Sequence, residues 1–131
     1  MGSPALTQIP GAALFDSNIL IDYLFGRGLA RDAVDRCAAP SISVVTAIEV
    51  LAGARDDEWP PLRALLARFE ELPLDDDVRD EAARIRRATR LKLPDAIILA
   101  TSRIHRLPLV TRNIRDFPAG SDGVILPYSL T

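Results

Sequence analysis

A chain of 131 residues, 48% hydrophobic and 26% charged, has room for one compact core and is too apolar to be disordered. Its net charge of −2 excludes a nucleic-acid binder of the simple, strongly basic kind, and its one cysteine, Cys37, excludes an internal disulfide framework. No apolar run approaches the roughly 18 residues of a membrane helix, no charged-then-apolar leader suggests secretion, and a lone thiol suits the cytoplasm.

Residues 1–11 are rich in small residues and proline and read as a flexible arm or cloning remnant ahead of one domain, 12–131. Residues 12–15 read as a short buried strand that stops at Asp16. Residues 17–25 then place Ile19, Leu20, Tyr23 and Leu24 at helical spacing. A second helix is expected over 29–39, ended by Pro40, and a β-branched strand over 41–45. The next helix starts at Thr46 and stops at Gly53 or in the polar run 55–58. Two amphipathic helices are expected over 60–71 and 76–89, with a brief strand, 71–74, between them. Residues 94–105 form a largely apolar helix entered through Pro94, and 107–111 and 124–126 are the last strand candidates. Short apolar strands alternating with helices predict an α/β fold with a mostly parallel sheet.

The charges are unevenly placed. An acidic block, Glu70 to Glu81, precedes a basic one at Arg84, Arg86, Arg87, Arg90 and Lys92. A solvated helix with acids in its first turn and bases in its last accounts for this through the helix dipole.

Four acids deserve a different reading, because in parallel sheets functional groups collect beyond the carboxyl ends of the strands. Asp16 directly follows the first strand. Glu49 lies one turn into the helix after the second, among Ala47, Ile48, Val50, Leu51 and Ala52, where a wet face is hard to arrange. Asp95 opens the helix entered through Pro94, and Asp116 follows the LVT strand across a turn. Taken singly, Asp16 and Asp95 could be helix starters and Asp116 a turn residue. Gathered at one sheet edge, they would raise one another's pKa and call for a hard divalent cation, for which Mg2+ and Mn2+ have the matching oxygen preference. Such a cation would let a mildly acidic protein act on a polyanion by activating water at a phosphodiester. The single histidine, His105, reads as a helix-end residue, so a histidine-pair nuclease lacks its parts. Cys37 reads as packing. No zinc spacing, Walker loop or dinucleotide fingerprint is present.

The segments LFDSNILIDYL, VTAIEVLAG, LKLPDAIILATS and LVTRNIRDF, in that order from Leu14 to Phe117, resemble the PIN-domain ribonucleases and, within them, the VapC toxins of toxin–antitoxin pairs. The resemblance implies a PIN-like fold, a central parallel sheet of four to five short strands flanked by helices. It implies a Mg2+- or Mn2+-dependent endoribonuclease that hydrolyses RNA with metal-activated water, leaving a 5′-phosphate and a 3′-hydroxyl. Asp16, Glu49 and Asp95 would then form the acidic metal-site core, completed by Asp116 or by its neighbour Asn113. Ser17, Asn18, Thr46 and Thr111 would be polar support, and Arg112, Arg115 and Lys92 would contact RNA. A homodimer and a VapB-type antitoxin would be the partners, with helices 29–39 and 60–71 as docking surfaces. A haloacid-dehalogenase phosphatase would need a second aspartate where Asn18 stands, and a receiver domain a lysine that Lys92 is not placed to supply. A catalytically silent PIN-like module binding RNA or protein is the alternative from another class.

Overall fold

The computed structural model describes residues 6–117 and 123–129. Its elements, in chain order, are β1 (Ala12–Phe15), α1 (Ser17–Leu24), α2 (Gly28–Arg36), β2 (Ala39–Ser43), α3 (Val44–Ala52), α4 (Trp59–Leu66), β3 (Glu70–Leu72), α5 (Asp76–Ala88), α6 (Leu93–His105), β4 (Leu109–Val110) and β5 (Val124–Ile125). A short 3-10 turn at Asp56–Glu58 leads into α4. All described strand pairs are parallel, and the sheet order is β3-β2-β1-β4-β5.

Strand alternation sorts the core into two layers, because successive side chains point to opposite sheet faces. Ala13, Phe15, Ile42 and Val110 face α1–α4, where Ile19, Leu20, Val34, Val50 and Leu62 bury against them. Leu14, Leu72 and Leu109 face the other side, covered by Val78, Ala82 and Ile85 of α5 and by Ala96, Ile97, Ile98 and Ala100 of α6. The result is a three-layer α/β/α sandwich.

This order creates the place where a site belongs. The chain leaves β1 for β2 on one side, and after β3 it crosses back to lay β4 on the other side of β1. Connections from the carboxyl ends of β1 and β4 therefore diverge and leave a crevice between them. Asp16 and Thr111, the residues that end these two strands, meet there.

Several boundaries differ from the sequence-based expectation, among them the strand expected over 71–74, which enters the sheet as Glu70–Leu72, and that over 107–111, which pairs only at Leu109–Val110. Pro40 lies inside β2, paired opposite Ala13, instead of ending a helix. Helix α2 stops at Arg36, and proline near the start of a strand loses little by lacking an N–H. Val44 and Val45, expected in a strand, open α3, because the Ser43 side chain accepts the Val45 N–H and caps the helix. The helix expected over 60–71 ends at Leu66, since Phe69 turns inward edge-on to Phe15 and Glu70 enters the sheet. Part of the stretch expected as a flexible arm is tethered: the Thr7 N–H donates to the Pro127 carbonyl at 2.8 Å, and Ile9 joins the core.

The charge blocks follow the dipole reading. Asp76 and Asp77 lie in the first turn of α5, Arg86 and Arg87 in its last, and Asp75 caps it by accepting the Val78 N–H.

Candidate metal centre

Asp16 ends β1 and caps α1. Its backbone is extended, and one carboxylate oxygen accepts the Ser17 N–H at 2.8 Å. The other accepts from Thr111 Oγ1 at 2.7 Å and Asn18 Nδ2 at 3.3 Å. Only 4% of the residue is exposed, and burial holds its carboxyl above the usual aspartate range despite these donors, with the Glu49 charge adding to the rise. Asp16 is therefore both helix starter and buried acid.

Glu49 comes from the first turns of α3. Its side chain is exposed, contrary to the expectation that its apolar neighbours would enclose it. Ala47 and Val50 take the inward face, leaving Ile48 and Glu49 outward. The carboxylate nevertheless turns toward Asp16, where it accepts from Ser17 Oγ at 2.6 Å. Thr46 Oγ1 lies 3.3 Å from the same hydroxyl. Ser17 thus joins the two acids, donating its N–H to one and its O–H to the other.

Asp95 lies in the first turn of α6, which Pro94 can occupy without losing a needed N–H. Half-buried, it is pushed up to about 6, first by burial and then by the charges of Asp16, Asp116 and Glu49, with Lys92 pulling it back. Asp116 sits in the turn after β4. It accepts from Asn113 Nδ2 at 3.1 Å, and its own N–H donates to Asn113 Oδ1 at 3.3 Å. Three acids from distant parts of the sequence therefore act on Asp95, and Glu49 acts on Asp16 as well.

The arrangement is an open acidic cleft and not a closed cage: among the described residues, no group of three carboxylate, histidine or cysteine side chains is drawn together around a single point. Such a cleft, all oxygen and partly wet, suits a hard cation that keeps several waters. It does not suit zinc, which wants a tight nitrogen or sulfur set. His105 stands exposed at the far end of α6, ten residues and about 15 Å along the axis from Asp95.

Ser17, Asn18, Thr46, Thr111 and Asn113 all come to this cleft. Lys92 and Arg115 are exposed near it, Lys92 just before α6. The Arg112 guanidinium forms a bidentate pair with Asp22, at 2.6 and 2.9 Å, and its side chain stays partly exposed. Sequence reasoning passes over Asp22 and Tyr128. The available signal for Asp22 was a carboxylate inside the apolar run of α1, and Tyr128 carried none.

Residues 13–119 match the PIN domain family. The chain belongs to that family. This PIN domain is 34% identical over 113 residues to Ribonuclease VapC10 of Mycobacterium tuberculosis, covering 80% of this chain and 85% of the relative. Among solved structures it resembles a chain of the toxin-antitoxin complex from Klebsiella pneumoniae, with a TM-score of 0.84 and 42% identity over 90% of this chain and 99% of that one. It also resembles a chain of VapBC-5 from Mycobacterium tuberculosis, with a TM-score of 0.61 and 28% identity over 92% of this chain and all of that one. No helix among the described residues is long and apolar enough to cross a membrane.

Proposed function

We propose that this PIN domain is the toxin of a toxin–antitoxin pair, a Mg2+- or Mn2+-dependent endoribonuclease. The observation that carries this reading is the pairing of Asp16 and Glu49 through Ser17, at 2.8 and 2.6 Å, at the switch-point edge, where their charges and that of Asp116 help to raise Asp95. A cluster of mutually repelling carboxylates beside a crevice is costly to fold, and a bound cation relieves the cost. The similarity to a protein named as a ribonuclease supports RNA as the substrate, and the end-to-end match to a subunit of a toxin-antitoxin complex supports the partner.

Asp16, Glu49, Asp95 and Asp116 would hold the ion. When bound, it would supply an activated water and neutralise charge on the scissile phosphate. The chain's own part is positional. Thr111, Asn18 and the Ser17 N–H fix Asp16, the Ser17 hydroxyl, with Thr46 beside it, fixes Glu49, and Asn113 fixes Asp116. Lys92 and Arg115 would meet the RNA backbone, while Arg112 is held by Asp22. We place the protein in the cytoplasm, as a homodimer, inhibited by a VapB-type antitoxin. The antitoxin surface is assigned to the groove of about 320 Å³ between α1, α3 and α4, lined by Ile21, Leu24, Phe25 and Pro61 and reaching Glu49. The helix faces at 29–39 and 60–71 direct Ala30, Val34, Leu62 and Leu65 inward, so the open apolar surface lies beside them at Phe25, which is 78% exposed.

Asp16→Asn and Asp95→Asn are expected to abolish cleavage of a susceptible RNA, by at least about a hundredfold, while leaving the fold intact. Cleavage by both variants at the wild-type rate contradicts the assignment and leaves a silent binding module.

A further inference from the structure

Outside the acidic cleft, the most heavily invested polar group is Asp22. It is only 3% exposed, yet its carboxylate accepts two bonds from Arg112 and one from Tyr128 Oη at 2.8 Å, with Arg27 Nε at 3.5 Å. Burying such a pair contributes little net stability, and replacing it with apolar side chains is often neutral or better, so its presence calls for another reason.

Geometry supplies one. Arg112 is held twice, its guanidinium by Asp22 and its N–H by Asn18 Oδ1 at 3.1 Å. The residue before it, Thr111, donates to Asp16. The residue after it, Asn113, donates its N–H to Thr111 Oγ1 at 3.0 Å and its side chain to Asp116. Residues 111–117 have no helix or strand of their own. A turn closed by the Phe117 N–H on the Asn113 carbonyl at 2.9 Å holds Asp116 to Asn113, and the Asp22 clasp ties that turn to α1, the helix that Asp16 caps.

We propose that Asp22, acting through Arg112 and Tyr128, is the positioning residue of the site. It sets the register of segment 111–116 against α1 and so holds Asp116 opposite Asp95 and Thr111 on Asp16. The inference rests on the metal-dependent nuclease reading for its consequence, and on the clasp alone for its mechanism.

The test compares wild type with Asp22→Asn, Arg112→Gln and their combination. In the metal-free proteins, amide hydrogen exchange at Asn113 and Asp116 is expected to quicken about tenfold or more in each variant, while the amides of α5 keep their protection. Unchanged exchange in that segment overturns the clasp, whatever the enzyme does. In the Mn2+-loaded proteins, titration calorimetry is expected to show affinity weakened about tenfold, the scale typical of losing a group that orients a ligand. RNA cleavage should fall in kcat, with the double variant no worse than the poorer single one. Lower melting temperature with unchanged Mn2+ affinity and kcat means that Asp22 only stabilises the fold, and overturns the proposal. A raised KM in Arg112→Gln alone, with Asp22→Asn at wild-type activity, returns Arg112 to RNA contact and also overturns it. If Asp22→Asn does not fold, Arg112→Gln, at a partly exposed position, carries the same readouts. Failure of the nuclease reading shows separately, as a wild type that neither binds Mn2+ nor cleaves RNA.

Discussion

Asp95 is where function and folding pull apart. An unfolded aspartate titrates near 3.8, whereas the folded, metal-free chain holds this proton up to about 6. The folded state therefore binds the proton more tightly, and the stability this contributes is complete below about 3.8 and lost as pH rises through about 6. At neutral pH the ionised side chain opposes folding, by about 1 kcal/mol once its half-exposure is discounted. Asp95→Asn is accordingly expected to raise the metal-free melting temperature by about 4 °C at pH 7 and to leave it unchanged at pH 3.5, while cleavage is lost. Thermal melts at the two pH values check this, and a lower melting temperature at pH 7 contradicts it. The same sign governs the cation. Because ligands must be ionised to bind, Mn2+ affinity should fall as pH drops from 7.5 to 5.5, measurable by calorimetry. Asp16 moves in the same direction, for burial raises it too.

At the scale of elements, the site depends on where strands end and helices begin. Ser43 shows how locally this is decided: one side-chain oxygen on the Val45 N–H starts α3 two residues before Thr46 and so sets the turn from which Glu49 reaches Ser17. Ser43→Ala should cost about 1 kcal/mol by denaturant melts and lower cleavage through Glu49. By contrast Ile85→Ala, in the α5 layer away from the cleft, should cost about 2–4 kcal/mol and leave kcat of the folded protein unchanged. A loss of kcat there would mean that the two layers are coupled. These elements also mark what the sequence could and could not reveal. Strand β1, helix α1 and the convergence of Asp16, Glu49 and Asp95 follow from apolar periodicity and from the strand-end rule for parallel sheets. Val44 and Val45 misled because β-branched residues favour strands until a cap intervenes. Asp22 and Arg112 lie 90 positions apart, and no local pattern pairs them. Their meeting depends on β4 lying beside β1, a tertiary fact.

At the scale of the whole molecule, the sheet is a frame for repulsion. Two apolar layers pack against five parallel strands, and the stability they supply keeps acids together at the crevice between β1 and β4. A ligand that binds only the folded state must raise its stability, so saturating Mn2+ should lift the melting temperature of wild type and not of Asp95→Asn. Differential scanning fluorimetry reads this directly. Whether this edge is a cation-dependent ribonuclease centre is decided by RNA cleavage after chelation with EDTA and re-addition of Mg2+ or Mn2+. Cleavage should be lost with EDTA and recovered with either ion, with products bearing 5′-phosphates. Cleavage that continues undiminished in EDTA would contradict this assignment.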